Sequence, residues 1–385
     1  MQNKMPTIAI ITTCNEDWGG SEELWARSIP VLQAAGMGVV VYKDGINRQH
    51  PRWQGLARAG VGLRDLRISP WVFAARKVFL RLRKRYWYEG NELRRQFTRQ
   101  LQADRPALVV IAQGINFDGL NYAQECITAG IAYVVICQKA VDFFWPQPDQ
   151  RPGMIKALQQ AQKCFFVSRQ NQELTEEQFG LRLGNTQLVF NPVDRSGGSV
   201  PYPAPGKVFR LACIGRLFVI DKGQDILIRL LARPRWRERP IELVFVGSGV
   251  DREGLEAMAR LLGLTNIHFA GQRSDMRELW REFHALALPS RSEGLPLVVL
   301  EAMAAGRVVI TTTAGGSQEV IEDGVTGFIG EAATESFDAA LERAWQRRDE
   351  WEAIGAAACR DLPNRIPDTP AEIDLARTLI SLVHD

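Results

Sequence analysis

Short apolar runs alternate with amphipathic helical patterns along the first half of the chain. Helical patterns extend from about Ser21 to Ala35 and over 169–179, and another fits between the third and fourth apolar runs. The apolar runs are TIAIITTC (7–14), GVVVY (38–42), ALVVIAQG (107–114), AYVVICQ (132–138) and KCFFVS (163–168). Because strands that alternate with helices build parallel sheets covered on both faces, this half predicts an α/β domain.

The pattern stops at residues 191–206 and then starts again. NPVDRSGGSVPYPAPG is rich in Pro, Gly and Ser, which is typical of an interdomain linker. The later apolar runs are FRLACIG (209–215), IELVFVG (241–247), NIHFAG (266–271), ALALPS (285–290) and RVVITT (307–312). We therefore predict two doubly wound parallel-sheet domains, Rossmann-like, over 1–194 and 195–368, with a ligand in the cleft at their strand carboxyl ends. A last amphipathic helix occupies the remainder, 369–385.

Composition narrows the class of protein. The 385 residues carry a formal net charge of +3, too small to indicate a nucleic-acid partner. None of the six cysteines forms a C-x-x-C pair, and most adjoin apolar runs, so we expect buried free thiols in a reducing compartment. No apolar run approaches the ~18 residues needed to span a bilayer. The first run is a strand rather than a signal peptide, and we expect a cytoplasmic protein.

Positive charge is concentrated in one segment. Residues 71–99 contain nine Lys or Arg and two acids, a net charge of +7, interleaved with Trp, Phe, Leu and Tyr. Such a segment, taken as 71–100, predicts a basic amphipathic helix on an anionic membrane surface, which would make the protein peripheral to the inner face of the membrane. A solvated helix that packs its apolar stripe on the first domain is the alternative. No recognition motif for nucleic acid accompanies the charge.

The loops that follow the later runs contain the candidate chemistry. Gly215 ends a run, Arg216 follows, and Lys222 lies at the start of a helix, an arrangement suited to a diphosphate, with a solvated basic loop as the alternative. Gly247 belongs to a Gly-Ser-Gly sequence, which a ligand-binding loop or simply a tight turn could require. It lacks the G-x-G-x-x-G spacing of a dinucleotide site. Gly271 and Arg273 lie in a loop that could face a planar base.

Two acids frame the sequence EGLPLVVLE. Glu293 precedes a turn in which the N–H groups of Gly294 and Leu295 can approach a ligand, and Glu301 lies in the helix that follows, where Pro296 suits the first position. Carboxylates near a diphosphate are repelled unless they accept from neutral hydroxyl groups. One acid would then bind a ribose diol and the other a sugar; a buried, paired helix acid is the alternative for Glu301.

EGLPLVVLEAMAAG closely resembles the E-x7-E signature of retaining glycosyltransferases of family 4, which have the GT-B fold. Further similar segments occur in the expected order: GGSEELWARSIPVLQAAGMGVVVY, SRQNQEL, FNPVD, GRL with DKG, VGSG, HFAGQRSDM, LPSRSEG and GGSQEVIEDGVTGFI. The resemblance spans nearly the whole chain and is densest over 209–330. It implies that the final helix returns to pack on the first, acceptor-binding domain, and that 195–368 binds the nucleotide sugar.

The resemblance also implies roles for particular residues. Arg216 and Lys222 would bind the donor diphosphate, Glu301 the ribose, and Glu293 with the Gly294–Leu295 backbone the transferred sugar. The loop at 271–273 would face the base. Gly19 and Gly20 would form the first-domain loop over the phosphates. Family members typically need no metal, and the chain has no Asp-x-Asp sequence, so we expect no metal and no other cofactor.

One departure from the family concerns a histidine that usually follows the strand AYVVICQ. Gln138 occupies that place, followed by Lys139, and the four histidines of the chain lie elsewhere in the sequence. Gln138 can hydrogen-bond a sugar hydroxyl but cannot titrate as a base. Lys139 or Asp142 could substitute for it at the acceptor, or the leaving phosphate could take the proton.

We therefore predict a retaining, metal-independent hexosyltransferase that uses a nucleotide sugar, UDP-glucose first. Its acceptor would be a glycan or lipid-linked sugar in exopolysaccharide synthesis. Two alternatives remain: a non-catalytic nucleotide-sugar-binding subunit of a polysaccharide assembly complex, which Gln138 motivates, and a GT-B epimerase.

Overall fold

A computed structural model describes residues 5–67, 89–194, 198–204, 206–273 and 275–384. Residues 71–88, which contain most of the predicted membrane-binding segment, lie outside this set. Within it, no helix combines the length and hydropathy that crossing a bilayer requires. All six cysteines are described and all are free thiols, as predicted; four are buried as expected, whereas Cys14 and Cys359 are half-buried.

The first domain contains a seven-stranded parallel sheet with the strand order β3-β2-β1-β4-β5-β6-β7. Its strands are β1 Thr7–Thr12, β2 Gly38–Lys43, β3 Gly62–Asp65, β4 Leu108–Ala112, β5 Tyr133–Cys137, β6 Cys164–Phe166 and β7 Thr186–Leu188. The five internal strands coincide with the predicted apolar runs. The two edge strands, β3 and β7, were not predicted because their side chains are mostly half-buried and form no apolar run.

Helices cover both faces of this sheet, as right-handed crossovers between parallel strands require. They are α1 Glu23–Ala34, α2 Pro51–Arg58, α3 Glu89–Asp104, α4 Leu120–Ala129, α5 Arg151–Gln159 and α6 Arg169–Phe179, and a 3-10 turn, Gly20–Glu22, precedes α1. The core between them is mainly aliphatic, with Tyr42, Phe97 and Phe166 among its large aromatic members.

The second domain contains a six-stranded parallel sheet with the order β10-β9-β8-β11-β12-β13. Its strands are β8 Phe209–Ile214, β9 Ile241–Val246, β10 Ile267–Gly271, β11 Ala285–Leu288, β12 Val308–Thr312 and β13 Gly327–Gly330. Five of them match predicted runs. The sixth, β13, is an edge strand with the sequence GFIG, too short and too rich in glycine to be recognised as a strand.

The helices of the second domain include three short ones that begin directly after strand-end loops. They are α7 Val219–Lys222, α8 Gln224–Leu231, α9 Pro234–Arg237, α10 Arg252–Leu261, α11 Met276–Leu279, α12 Leu297–Ala304, α13 Ser317–Val320, α14 Thr334–Gln346 and α15 Trp351–Arg365, and a 3-10 turn, Arg348–Glu350, precedes α15. Trp236, Phe245 and Trp351 are buried in the core of this domain.

The chain divides into two compact units, which we describe separately. One comprises residues 1–167, 171–189 and 369–385, and the other 168–170 and 190–368. The sequence placed the division at 194/195 rather than 189/190. The last helix, α16 Ala371–His384, belongs to the first unit and packs against α1. Its buried residues Leu375, Ala376 and Leu379 supply the apolar side of that contact.

Candidate active site

The carboxyl ends of β8, β9, β10 and β11 place four predicted loops at one edge of the second sheet. Each of these strands is hydrogen-bonded to a neighbour in the order β10-β9-β8-β11, and all are parallel. Because parallel strands end at the same edge, residues far apart in sequence are brought together there. The predicted donor-binding residues of this domain all lie at or after the carboxyl ends of these four strands.

Glycine allows these loops to pack backbone against backbone. Gly247 has φ 142°, and a Cβ at this position would lie 2.0 Å from the carbonyl oxygen of Gly215. Gly223, which follows Lys222, has φ 62°, and a Cβ there would lie 2.1 Å from the carbonyl oxygen of Pro289. No other residue fits at either position without moving a neighbouring loop. The glycines therefore bring the loops after β8, β9 and β11 into direct contact.

Lys222 is ion-paired with Glu293. Its Nζ lies 2.5 Å from Glu293 Oε1, although 71 residues separate them. The hydroxyl of Ser290 donates to the same oxygen at 2.7 Å, and Glu293 is only 6% exposed. The first acid of the E-x7-E spacing is thus held by a cation and a hydroxyl at the end of β11.

Arg216 is paired with an acid that the sequence analysis did not select. Its Nη2 donates to Asp221 Oδ2 at 2.7 Å, and its guanidinium lies over the ring of Phe218 at 4.6 Å. The main-chain carbonyl of Asp221 accepts from the N–H groups of Arg291 and Ser292 at 2.8 and 3.1 Å. Asp221 therefore ties α7 to the loop of Glu293. Asp221 could have been selected from the sequence, because it directly precedes Lys222 in DKG, a segment already recognised as similar to the family.

The turn at Gly294–Leu295 is fixed from two sides. Asn191 Nδ2 donates to the carbonyl of Leu295 at 2.7 Å, and the N–H of Gly316 donates to the carbonyl of Gly294 at 2.6 Å. With both carbonyls held, the orientation of the intervening peptide is determined. Neither Asn191 nor Gly316 was selected from the sequence, although FNPVD and GGSQEV were recognised as similar to the family.

Glu301 is the fifth residue of α12 and is half-buried. The helix begins at Leu297. Pro296 was predicted to be its first residue but instead precedes it, with extended backbone, φ −63° and ψ 119°. Glu293 and Glu301 thus stand on either side of a fixed turn.

Arg273, in the loop after Gly271, is paired with acids. It makes two hydrogen bonds to Asp275, at 2.7 and 2.6 Å, and one to Glu282 at 3.2 Å. The guanidinium beside Asp275 lowers the pKa of that carboxyl to about 2. Gly271 itself has φ 73°. The arginine of the predicted base-facing loop is therefore held in ion pairs with two acids.

In the first domain, the loop of Gly19 and Gly20 is held by a buried glutamate. Glu22 accepts from the hydroxyl of Thr12 at 2.5 Å and from the N–H of Gly19 at 2.8 Å. Lys43, also buried, donates to the carbonyl of Cys14 on the same loop. These contacts fix the glycine pair at the carboxyl end of β1.

Gln138 and Lys139 follow β5 in the first domain, and Asp142 lies three residues further on. Gln138 is 5% exposed, and its Nε2 has no hydrogen-bond partner among the residues that the structure describes. Asp142 is exposed, and its carbonyl accepts from Trp145 Nε1 at 3.0 Å.

Asp118, in the loop between β4 and α4, is an acid that the sequence analysis missed. Burial raises its pKa to about 6, while the N–H of Ile115 and the charge of Lys139 act in the opposite direction. The preceding residue, Phe117, has φ 73°, a backbone strain that is concentrated at functional loops in proteins.

Residues 208–347 match a family model described as Glycosyl transferases group 1. An uncharacterized glycosyltransferase of Haemophilus influenzae is 26% identical over 265 residues, which are 67% of this chain and 70% of that protein. The matched residues make up most of the second domain. The protein is accordingly a transferase.

Two further comparisons concern a polysaccharide biosynthesis protein and a solved structure. The Vi polysaccharide biosynthesis protein VipC/TviE of Salmonella typhi is 36% identical over 148 residues, 38% of this chain but only 24% of that protein. The crystal structure of Anabaena HepE in complex with UDP superposes with a TM-score of 0.73 at 18% identity, covering 97% of this chain and all of HepE. The two parallel-sheet domains of this transferase thus have the GT-B fold, as predicted.

Proposed function

We propose that this GT-B transferase is a retaining hexosyltransferase of family 4, with UDP-glucose as its first candidate donor. The observation that carries the proposal is the junction of Arg216, Lys222 and Glu293 at one sheet edge, with Asp221 bridging the loops. Two cations beside one another suit a diphosphate, and two acids on either side of the Gly294–Leu295 turn suit sugar hydroxyl groups.

The ion pairs indicate how a donor would be received. Lys222 and Arg216 are each neutralised by an acid in the protein alone, so an arriving diphosphate would compete with Glu293 and Asp221 for them. A carboxylate displaced from Lys222 becomes available to accept from a sugar hydroxyl. Donor binding would thereby turn Glu293 from the partner of a cation into a ligand of the hexose.

The chemical step that we propose takes place on one face of the sugar. The bond from C1 to the β-phosphate oxygen breaks, a bond from C1 to the acceptor oxygen forms on the same face, and the acceptor proton moves to the leaving phosphate. Because the leaving phosphate takes the proton, this route needs no protein base after β5, which fits the presence there of Gln138, a residue that cannot titrate. Arg216 and Lys222 would stabilise the charge that develops on the leaving diphosphate. We propose that they do so without a metal ion.

The donor and its pathway rest on relatives. Anabaena HepE was also crystallised with UDP-glucose, and VipC/TviE is named for polysaccharide biosynthesis. We propose a glycan or lipid-linked sugar as the acceptor and polysaccharide synthesis as the setting, with the protein in the cytoplasm. Contact with an anionic membrane through residues 71–100 stays part of this proposal.

A thermal-shift screen of UDP, GDP, ADP and dTDP sugars tests the donor. A donor at 100 times its dissociation constant adds ~2.7 kcal/mol to the free energy of unfolding. UDP-glucose should therefore raise the thermal unfolding midpoint more than the GDP, ADP and dTDP sugars do. Product NMR should then show the anomeric configuration of the donor. Stabilisation by none of the four would contradict the donor assignment, and an inverted product would contradict retention.

A non-catalytic nucleotide-sugar-binding subunit is the second candidate, and Gln138 in place of a histidine favours it. This subunit would bind the donor without consuming it. Slow hydrolysis or transfer of UDP-glucose that is abolished in Glu293→Ala would exclude this candidate. An epimerase would instead interconvert donor sugars with no acceptor present.

A further inference from the structure

Three consecutive aromatic side chains are exposed after β5 of the first domain. Phe143 is 54% exposed, Phe144 45% and Trp145 64%. We call residues 142–146 the aromatic loop. A contiguous exposed patch of large apolar side chains is unusual on a soluble protein and indicates a surface that binds something.

The backbone of the aromatic loop is held by the protein. The buried amide of Gln178 donates to the carbonyls of Val141 and Phe144 at 2.8 and 2.7 Å. Trp145 Nε1 donates to the carbonyl of Asp142 at 3.0 Å, which fixes the indole within the loop. A ligand that stacks on these rings would therefore pay little entropy to order them.

The same glutamine connects the aromatic loop to the loop of Asp118. Asn116 Nδ2 donates to Gln178 Oε1 at 3.1 Å, and Phe117 packs edge-on against Phe179 with ring centroids 5.1 Å apart. The loops after β4 and β5 are thus braced together at one edge of the first sheet. Gln138, whose buried Nε2 has no partner in the described part of the chain, lies at this same edge.

Charge selects among the ligands that such rings could bind. Residues 140–150 contain two acids, Asp142 and Asp149, and no Lys or Arg. An anionic lipid surface is bound by apolar side chains among an excess of cations, whereas Lys139 and Arg151 at the two ends of this segment only balance Asp142 and Asp149. A neutral ligand with hydroxyl donors fits better, because carboxylate and amide oxygens accept from hydroxyls.

Neutral sugar rings have both properties that this surface requires. A pyranose presents a face of C–H groups that packs on the electron-rich face of an aromatic ring, and its edge carries hydroxyl groups. We propose that the aromatic loop is a stacking platform for neutral sugar residues of a glycan acceptor, beside Gln138 and Asp118. This inference rests on the proposed function and specifies the chemical class of its acceptor.

Binding to arrays of neutral and acidic oligosaccharides, with UDP present, tests the proposal. The full-length wild type should bind neutral members, and Trp145→Ala should weaken that binding at least about five-fold, as expected for a lost aromatic contact. Trp145→Phe should retain most of it. Leu261→Ala is the matched control, since Leu261 is 85% exposed on the second domain.

Donor binding is measured on the same variants to separate the two proposals. Trp145→Ala should leave the thermal shift caused by UDP-glucose unchanged. A wild type that binds neutral glycans through Trp145 but no nucleotide sugar would overturn the proposed function and support the platform.

Three results would overturn the platform itself. They are the absence of neutral-glycan binding by the wild type, binding that Trp145→Ala leaves intact, and a Trp145-dependent association with phosphatidylglycerol vesicles in place of glycans.

Discussion

The carboxyl edges of the two sheets differ in how charges are paired and in which side chains are exposed. At the edge of the second sheet, Lys222 is paired with Glu293 and Arg216 with Asp221, so charges are matched before any ligand arrives. At the edge of the first sheet, Gln138 Nε2 is buried with no partner among the described residues, and burial raises the pKa of Asp118. Aromatic rings are exposed beside them.

The difference reflects what each edge would bind. A diphosphate carries charge, and a cation held by an internal acid is oriented in advance for a charge-assisted bond to the phosphate. A neutral glycan offers only hydroxyls and C–H faces, so its site needs unsatisfied polar groups and apolar surface. Four predictions test whether the two edges differ in this way.

The largest effect should come from Lys222→Ala. This change removes a donor-phosphate cation and leaves the nearly buried Glu293 without its ion pair, so transfer should fall about 10²–10³-fold and the thermal midpoint should drop. Initial rates with UDP-glucose and a melting curve measure both. Lys207→Ala, at an exposed position, is the control. Equal transfer rates for the two variants would show that Lys222 does not contribute to the donor site.

Glu293→Gln should separate turnover from donor affinity. The amide keeps the volume of the side chain but no longer competes with phosphate for Lys222. We expect turnover to fall about 100-fold while UDP binds as tightly as before or more tightly. Calorimetric titration with UDP, beside rate measurements, is the test. A large loss of UDP affinity would show that Glu293 orders Lys222 rather than competing for it.

Asn191→Asp should have a smaller effect on the donor edge. Aspartate has the same shape but cannot donate to the carbonyl of Leu295, so the Gly294–Leu295 turn should loosen. We expect about a ten-fold loss of kcat/KM, which corresponds to about 1.4 kcal/mol. Asn364→Asp, on an exposed stretch of α15, is the control. Unchanged kinetics in Asn191→Asp would mean that Gly316 alone holds the turn.

The smallest effect should appear in the pH dependence of stability at the first edge. The folded-state pKa of Asp118, about 6, exceeds its ordinary value of 3.8. The stability that its protonated carboxyl contributes to the folded state is therefore fully present below about pH 4 and is lost as pH rises through about 6. Asp118→Asn should abolish this loss, a change on the order of 1 kcal/mol. Urea unfolding at pH 4 and pH 7 measures it, with the exposed Asp142→Asn as control. A wild-type difference retained in Asp118→Asn would assign it to another group.

The sequence by itself determined the architecture of both domains. Buried internal strands carry long apolar runs and the helices between them have a distinct period, so local pattern was enough to predict two parallel sheets. The edge strands Gly62–Asp65 and Thr186–Leu188 could not be predicted from local pattern, because half-buried strands carry no such apolar run. The glycines at 215 and 247 were also found from sequence, since their place after a strand is a local feature.

Only the tertiary structure decided how the charges are paired. Lys222 and Glu293 are 71 residues apart, and Asn191 and Leu295 are 104 apart, so no local pattern relates them. The same holds for Asp118, whose raised pKa depends on burial, and for Gln178, which braces the aromatic loop. Contacts of this kind arise where parallel strands end side by side, and the order of those strands in the sheet, rather than in the chain, determines which side chains meet.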